Sequence, residues 1–551
     1  MYLLVSLLAW RLGYLENISY RVRGYDSVFY YIWLSSALFD HDLDFTNDLA
    51  MFSWGPDARG ISPKGRPENF SPIGSAVAWA PLAGLAHAIS LAQGSPPARG
   101  YGPVYYTCVY IGNSLYALAG IILAFVWLTA YVRRQEAFLG CAAIMLASQI
   151  TYYFWSDTAM SHNVSLFATA LFLVACQRRG LGVLSGFAAG FMALVRWQDC
   201  FMIAVPLAQA FHNLKAKQES PQKVLAGCAA FFFACGAVFF LQLLAWRAVY
   251  GPLLAFPHDP GQINPLRLHI FDVLFSTRHG LFSWHPLLLA GALGLALLWK
   301  RQKALTVGLV LAVALQILFN ASLADWHAAW SFGARRFVHL LPVFALGLAM
   351  IAETYGRRGF VLVAVLAALL GVWNQLFIYQ YQKGLIPPDR PLTASQMVWD
   401  KFSLGKVQRA RQAAVLAVLH YRQKGVDQEF SRLAAYAFEQ APSDALARAT
   451  WALSCVFYGH HPACVPCLAA WQKEHPQVMA FAWAYSAMLL QDGKKDQALA
   501  VVQQSVLPRD PVLADFLGQK ILAGGQAALM GDKKFLMVFQ SQMMQAIQEG
   551  L

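Results

Sequence analysis

The sequence predicts an all-α, polytopic bundle of membrane-spanning helices followed by a smaller helical domain. Three observations predict it. Hydrophobic residues make up 58% of the 551 residues and charged residues only 13%, with a mean hydropathy of +0.44; a soluble chain carries about 25% charged residues. Apolar runs approaching the ~20 residues that cross a bilayer recur through the chain, most clearly at 104–130, 224–249, 304–323, 336–354 and 360–377. Beyond about residue 378 no run is long enough to span, and alanine-rich helical periodicity takes over.

Basic residues gather in short loops between the runs. They are Arg133-Arg134, Arg178-Arg179, Lys215/Lys217/Lys223, Lys300-Arg301/Lys303 and Arg357-Arg358. The positive-inside rule places these loops in the cytoplasm, so the net charge of +13 calls for no nucleic-acid partner. The intervening loops, 153–161, 196–199, 250–285 and 324–335, are then expected outside, with everything after about 378. About 11–12 spans are expected. Two points of topology stay open. The first run, MYLLVSLLAWRLGYL, is short for a span and lacks the basic start of a signal peptide. Full crossings at both 72–92 and 104–130 would put Arg133-Arg134 on the same side as Asp26, against the charge rule.

Three regions follow: a membrane domain over 1–378, a polar, proline-containing linker over 379–394, and a helical domain over 395–551. Within the last, AFAWAYSAMLLQDGKKDQALAVVQQSVLPRDP sets small residues at helical spacing on either side of a Gly turn. It resembles a tetratricopeptide-type helix pair. Six of the nine cysteines lie in or beside apolar runs, where Cys serves as a small hydrophobe. Cys455, Cys464 and Cys467 lie in the C-terminal domain. The CVPC motif with His460-His461 leaves open a structural disulfide, free thiols or a metal site; an oxidising compartment favours the disulfide.

The candidate chemistry lies in the outer loops. Residues 21–72 form a long polar segment after the first apolar run, opening on Gly24-Tyr25-Asp26. Asp26 marks the end of that run, at the water side of a membrane boundary, where an ionisable group is costly and a functional candidate. It reads equally as a solvated loop acid. Lys64, Arg66, Arg278, Arg335 and Arg336 supply cations in outer loops. Arg suits phosphate because its fork binds two oxygens at once, although a pair such as Arg335-Arg336 also anchors helix ends at a headgroup layer. Asp40, Asp42, Asp44 and Asp48 have DxDxD spacing but lack the Gly and closing Glu of a calcium hand. They read as loop and cap chemistry, with divalent-metal binding the other reading. Asp157 and His162 flank a short outer loop, placed to orient a ligand, bind a metal, or cap and pack. Trp326, Trp330 and the tyrosines at 30, 31, 152 and 153 read as an interfacial belt rather than sugar platforms.

GYDS, the amphipathic YYIWLSSAL, HDLDFTND and SPKGRPENFSPIG follow one another between a first span and a second. This order resembles the first outer loop of the GT-C glycosyltransferases. These are polyprenyl-phosphate-sugar-dependent enzymes that include the protein O-mannosyltransferases and the lipid A aminoarabinose transferases. GFAAGFMALVRWQDCFMIAVPLAQAF looks like their helix pair with a central Arg/Lys-Pro, with Trp197 in place of the proline. DWHAAWSFGARRFVHLLPVFALGLA is similar to their late outer loop. The resemblance covers about residues 1–378. It implies a bundle of roughly 11–13 helices and a lipid-linked sugar donor. Glycan, lipid or protein would be the acceptor, at the extracytoplasmic face of a bacterial inner membrane. It further implies that Asp26 is the catalytic base, that Asp157 is the second outer-loop acid, and that Lys64, Arg66 and Arg335 hold donor phosphate, with Arg278 a further candidate. Many relatives carry a second acid directly after the first; here that position is Ser27. No cofactor is implied with certainty, and a divalent metal remains compatible. Two other classes fit a polytopic chain. A transporter or flippase would show inverted repeats and charges inside its spans. A non-catalytic scaffold would use the helical domain to recruit partners.

Overall fold

The computed structural model describes residues 22, 24–94, 99–157, 159–255, 262–424, 427–442, 444–458, 464–474, 479–506, 514–515, 517–519 and 522. The described residues are overwhelmingly helical. Extended pairing among them is confined to isolated bridges, Ile61 with Pro67 and Ile263 with Leu323. The chain divides into two compact units, Met1–Tyr379 with Pro388–Pro391, and Gln380–Pro387 with Leu392–Leu551.

In the first unit, six helices among the described residues are long and apolar enough to cross a membrane. They are Gly74–Ala92, Pro103–Leu128, Pro221–Val249, Lys303–Ala321, Arg335–Thr354 and Gly356–Gln382. Each coincides with an expected run. Six is fewer than the expected 11–12; two shorter apolar helices, Val183–Val195 and Pro286–Leu298, accompany them among the described residues, and the first apolar run lies outside those residues. Arg134–Ala147 stops where Ser148 turns extended (φ −133°, ψ 175°), and a short helix, Ile150–Trp155, follows. Val183–Val195 stops at an extended Arg196 (φ −151°, ψ 109°) before a 3₁₀ turn, Trp197–Ile203. Residues 196–199 are therefore no open outer loop: Arg196, Gln198 and Asp199 are buried within the bundle.

Arg335–Thr354 is the axis of this unit. Within its apolar window 83% of residues lie inside the protein, against 11% for Pro221–Val249, which keeps an apolar outer face. Close approach makes the axis possible. A Cβ on Gly347 would collide with the Gly291 carbonyl, so only glycine lets the backbones of Leu341–Thr354 and Pro286–Gly294 touch.

The second unit pairs its helices in sequence: Leu404–Lys424 with Gln428–Gln440, Ala445–Tyr458 before Cys464–Glu474, and Met479–Gln491 with Lys495–Ser505. Asp427 and Asp444 cap helix starts, accepting from the amides of Phe430 and Ala447, each at 2.9 Å. Gly493, at φ 73°, turns the last pair. Phe430, Trp451, Leu468, Trp471 and Trp483 fill the core, and Phe438 stacks on Trp451 at 4.2 Å between centroids. A disulfide joins Cys455 to Cys464, while Cys467 is a free thiol.

Candidate functional site

The helix Tyr25–Ser35 opens after Gly24, whose φ of 88° suits glycine. Ser27 to Ser35 are all buried, leaving Tyr25 and Asp26 of the first turn toward water. An acid in the first turn complements the helix dipole. Asp26 also forms two ion pairs. One carboxylate oxygen, Oδ1, accepts from Arg59 at 2.8 Å, and Oδ2 pairs with Arg335 at 2.7 Å. The Asp26 side chain keeps 32% exposure, whereas that of Arg59 keeps 3%. Burial alone would raise the Asp26 carboxyl, but the Arg335 and Arg59 guanidiniums outweigh it and hold the group below the ordinary carboxylate range.

Arg59 is held by rings. Its guanidinium carbon lies 4.4 Å from the Tyr25 ring centre, 4.1 Å from that of Phe29 and 3.7 Å from that of Phe70. Nε and Nη1 have no hydrogen-bond partner among the described residues; the ring faces take that place. The Tyr25 hydroxyl donates to the Ala58 carbonyl at 2.6 Å, closing the loop on the helix.

Arg335 arrives from the opposite side of the sequence. It begins a 3₁₀ turn, Arg335–Leu340. The preceding segment is fastened at each step. Phe332 donates its amide to the Tyr153 hydroxyl at 3.2 Å, and Gln149 Nε2 donates to the Ala334 carbonyl at 3.1 Å. Gly333, at φ 61°, lies so close to the His285 ring that a Cβ would strike it. Arg336 turns elsewhere, to Asp325 at 2.6 Å and Asn320 at 3.2 Å. His339 Nδ1 meets Asp199 at 3.1 Å.

Asp157 joins the same place. The Ser27 hydroxyl donates to its Oδ1 at 3.2 Å. Thus Ser27, the residue directly after Asp26, binds an acid from another loop. Burial pushes the Asp157 carboxyl up to about 6; Arg335 and the Ser27 hydroxyl oppose that rise and Asp26 adds to it. Two carboxylates with divergent proton affinities therefore share Arg335. Nearby, His279 Nδ1 donates to the His327 carbonyl at 2.8 Å, and the Ser331 hydroxyl lies 3.2 Å from the same nitrogen. Burial, with Arg335 and Arg278 adding to it, lowers His279 to about 4, so its ring is neutral at physiological pH.

The other expected cations lie differently. Lys64 donates to the Arg247 carbonyl at 2.9 Å, and Arg66 to the carbonyls of Asp42 at 3.1 Å and Ala248 at 3.4 Å. Both satisfy carbonyls at the end of Pro221–Val249, where cations suit the dipole. Neither bonds Asp26. Arg278 lies in the electrostatic field of Asp389 and acts on His279 and His327.

The acidic run is committed to its own loop. Asp42 accepts from Ser36 at 3.0 Å and the Asp44 amide at 2.9 Å, Asp44 from Thr46, and Asp40 from Asn47 at 2.7 Å. Asp48 is buried, accepts from Ser35 and Tyr101, and is raised to about 6 chiefly by burial. Among the described residues no group of three or more His, Cys, Asp or Glu is arranged to hold a metal. Tyr31 and Tyr153, expected in an interfacial belt, are core residues instead: each is 1% exposed, and their hydroxyls bond the carbonyls of Gly100 and Phe332. Trp330 alone of the residues expected in the belt is widely open, at 70% exposure.

Arg59 escapes sequence reasoning. Its one signal is an isolated cation in a short Asp-Ala-Arg-Gly turn downstream of Tyr25 and Phe29, which stand one helical turn apart. No protein-family model and no curated protein sequence matches this chain.

Proposed function

We propose that this chain is a membrane glycosyltransferase of the GT-C type, taking a sugar from a polyprenyl-phosphate-linked donor to a glycan, lipid or protein acceptor. The observation that carries the reading is Asp26 clamped between Arg59 and Arg335, with Asp157 beside it. The acceptor oxygen or nitrogen attacks the anomeric carbon, and the bond from that carbon to the phosphate oxygen breaks. The lipid phosphate leaves with the electron pair toward Arg335. The acceptor proton passes to the carboxylate pair, with Asp26 as base and Asp157 orienting. Arg335 suits phosphate because its fork gives charge-assisted bonds. Lys64 and Arg66 extend the basic surface, and Arg278 adds a charge near His279. Loop charges favour an extracytoplasmic site in a bacterial inner membrane. The paired helices of the second unit, tied by a disulfide, fit a tetratricopeptide-like domain on that side.

The test is binding of the lipid product. Purified protein should bind undecaprenyl phosphate in native mass spectrometry. Arg335→Lys should weaken that binding, and Arg336→Lys should leave it closer to wild type. Equal binding by all three, together with an unchanged envelope glycan profile in a deletion strain, would sink the proposal.

One observation favours a second reading. Arg196, Asp199 and His339 are buried ionisable residues inside the bundle, as in transporters that move a polar substrate. Uptake or flipping by reconstituted protein without any sugar transfer would favour that class.

A further inference from the structure

Residues 393–402 form a small capped turn after the last candidate span. Thr393 and Gln396 bond each other reciprocally: the Gln396 amide donates to the Thr393 hydroxyl at 3.2 Å, and the Thr393 amide to Gln396 Oε1 at 2.9 Å. Ser395 donates to Asp400 at 2.6 Å. Lys401 turns inward, donating to the carbonyls of Gln396 at 3.2 Å and Met397 at 2.6 Å. The charged pair Asp400 and Lys401 is buried while its apolar neighbours are not: Trp399 is 66% and Phe402 76% exposed. This inverts the usual order, in which charge faces water and aromatics face the core.

The turn is tied to the end of a span. Gln380 Nε2 donates to the Gln396 carbonyl at 3.2 Å, and Gln380 lies two residues before the end of the helix Gly356–Gln382. Arg357 and Arg358 mark the other end of that helix. From Arg358 to Gln380 is 22 residues (380 − 358), or ~33 Å of helix. The hydrocarbon core is ~30 Å thick. Gln380 therefore stands just beyond the core when the arginines sit at the opposite headgroups. Three residues of chain reach ~10 Å at most, so Trp399 lies within that distance of Gln396. The headgroup boundary, where Trp is enriched in membrane proteins, is therefore within reach of Trp399.

We propose that Trp399 and Phe402 insert into the glycerophospholipid interface beside the exit of Gly356–Gln382, docking the start of the second unit on the bilayer surface. Lys383, Lys406 and Arg409, all exposed in the flanking sequence, match an anionic headgroup layer. The proposal is independent of any transferase activity.

The full-length protein is reconstituted in vesicles of phosphatidylethanolamine and phosphatidylglycerol, with the photoreactive residue benzoylphenylalanine replacing Phe402 or, in a second variant, Trp399. Each keeps an aromatic ring in place. A third variant carries it at Tyr436, an exposed ring of the same unit. After irradiation, mass spectrometry should find phospholipid adducts at 402 and 399, several-fold above those at 436. Adducts only to protein, whether the same chain or a second copy, or equal lipid labelling at 436, would overturn the proposal.

Discussion

Removing Asp26 tests whether the clamp is one coupled unit. By sequence alone Asp26→Asn is a conservative change that deletes a base and spares the fold. The structure predicts otherwise. Asp26 bonds two guanidiniums, one almost wholly buried, and an uncompensated buried charge costs about 3–5 kcal/mol. Arg59→Met also destabilises, by about 1.5–3 kcal/mol for the lost charge-assisted bond. Ring contacts to Tyr25, Phe29 and Phe70 add to that loss, and the methionine recovers part of the packing. The double variant removes the anion and its buried partner together. Its cost should fall short of the sum of the singles by about 0.5–3 kcal/mol, the range found for residues in direct contact. Denaturant titration of full-length protein in detergent, followed by tryptophan fluorescence, reads all three values. Additivity within about 0.5 kcal/mol would refute the clamp.

Other perturbations follow from single features. Asp157 has a folded value near 6 against an ordinary 3.8, so the folded state binds more protons between those values and stability falls as pH rises through that window. Asp157→Asn should remove that loss, raising stability at pH 7.5 by up to ~3 kcal/mol; a flat difference between the two proteins from pH 4 to 7.5 would contradict the burial argument. Ala328 and Ala329 both hold positive φ, 58° and 50°, so Ala329→Gly should gain about 1 kcal/mol in the same titration; a loss would show that the strain is absent. Breaking the nine-residue separation between Cys455 and Cys464 with Cys464→Ala should cost about 2.7 kcal/mol on chain-entropy grounds. Alkylation before and after reduction should release two additional thiols in wild type, and none in the variant.

Long apolar helices were legible because they demand only composition over a stretch. All six span-length helices fall on runs that the sequence displays. Interruptions were not legible. Ser148 and Arg196 turn extended with no proline or glycine to announce it, and hydropathy averages across such breaks. The meeting of Asp26 with Arg335 was within reach of motif order, since each stands at a recognisable point of a polar loop. Arg59 was not, because its cage is assembled from Tyr25, Phe29 and Phe70, and spacing cannot show a ring cluster closed by a loop. Lys64 and Arg66 illustrate the converse: the sequence offers them as phosphate-holding cations, while the helix-end carbonyls of Arg247 and Ala248 that engage them are invisible in composition. The CVPC motif marks a disulfide cysteine but not its pairing. Cys464 and Cys467 sit on one helix, and the partner of Cys464 comes from the helix before it.

Arg335 and Arg336 look interchangeable in a sequence, yet they sit in a 3₁₀ turn, where successive side chains diverge by about 120°. One answers to Asp26 and the other to Asp325. Their tandem is therefore a ruler rather than a reserve of charge. A single residue inserted between Gly333 and Arg335 would turn Arg335 into the direction now held by Arg336 and Arg336 into that of the buried Phe337, and a single deletion would turn Arg336 into the direction of Arg335. Loop-length changes upstream of the pair are thus the alterations this protein should tolerate least, less than the exchange of either arginine for another cation. In any set of descendants or designs built on this chain, the distance from Gly333 to the first arginine should drift more slowly than the identities of the residues around it.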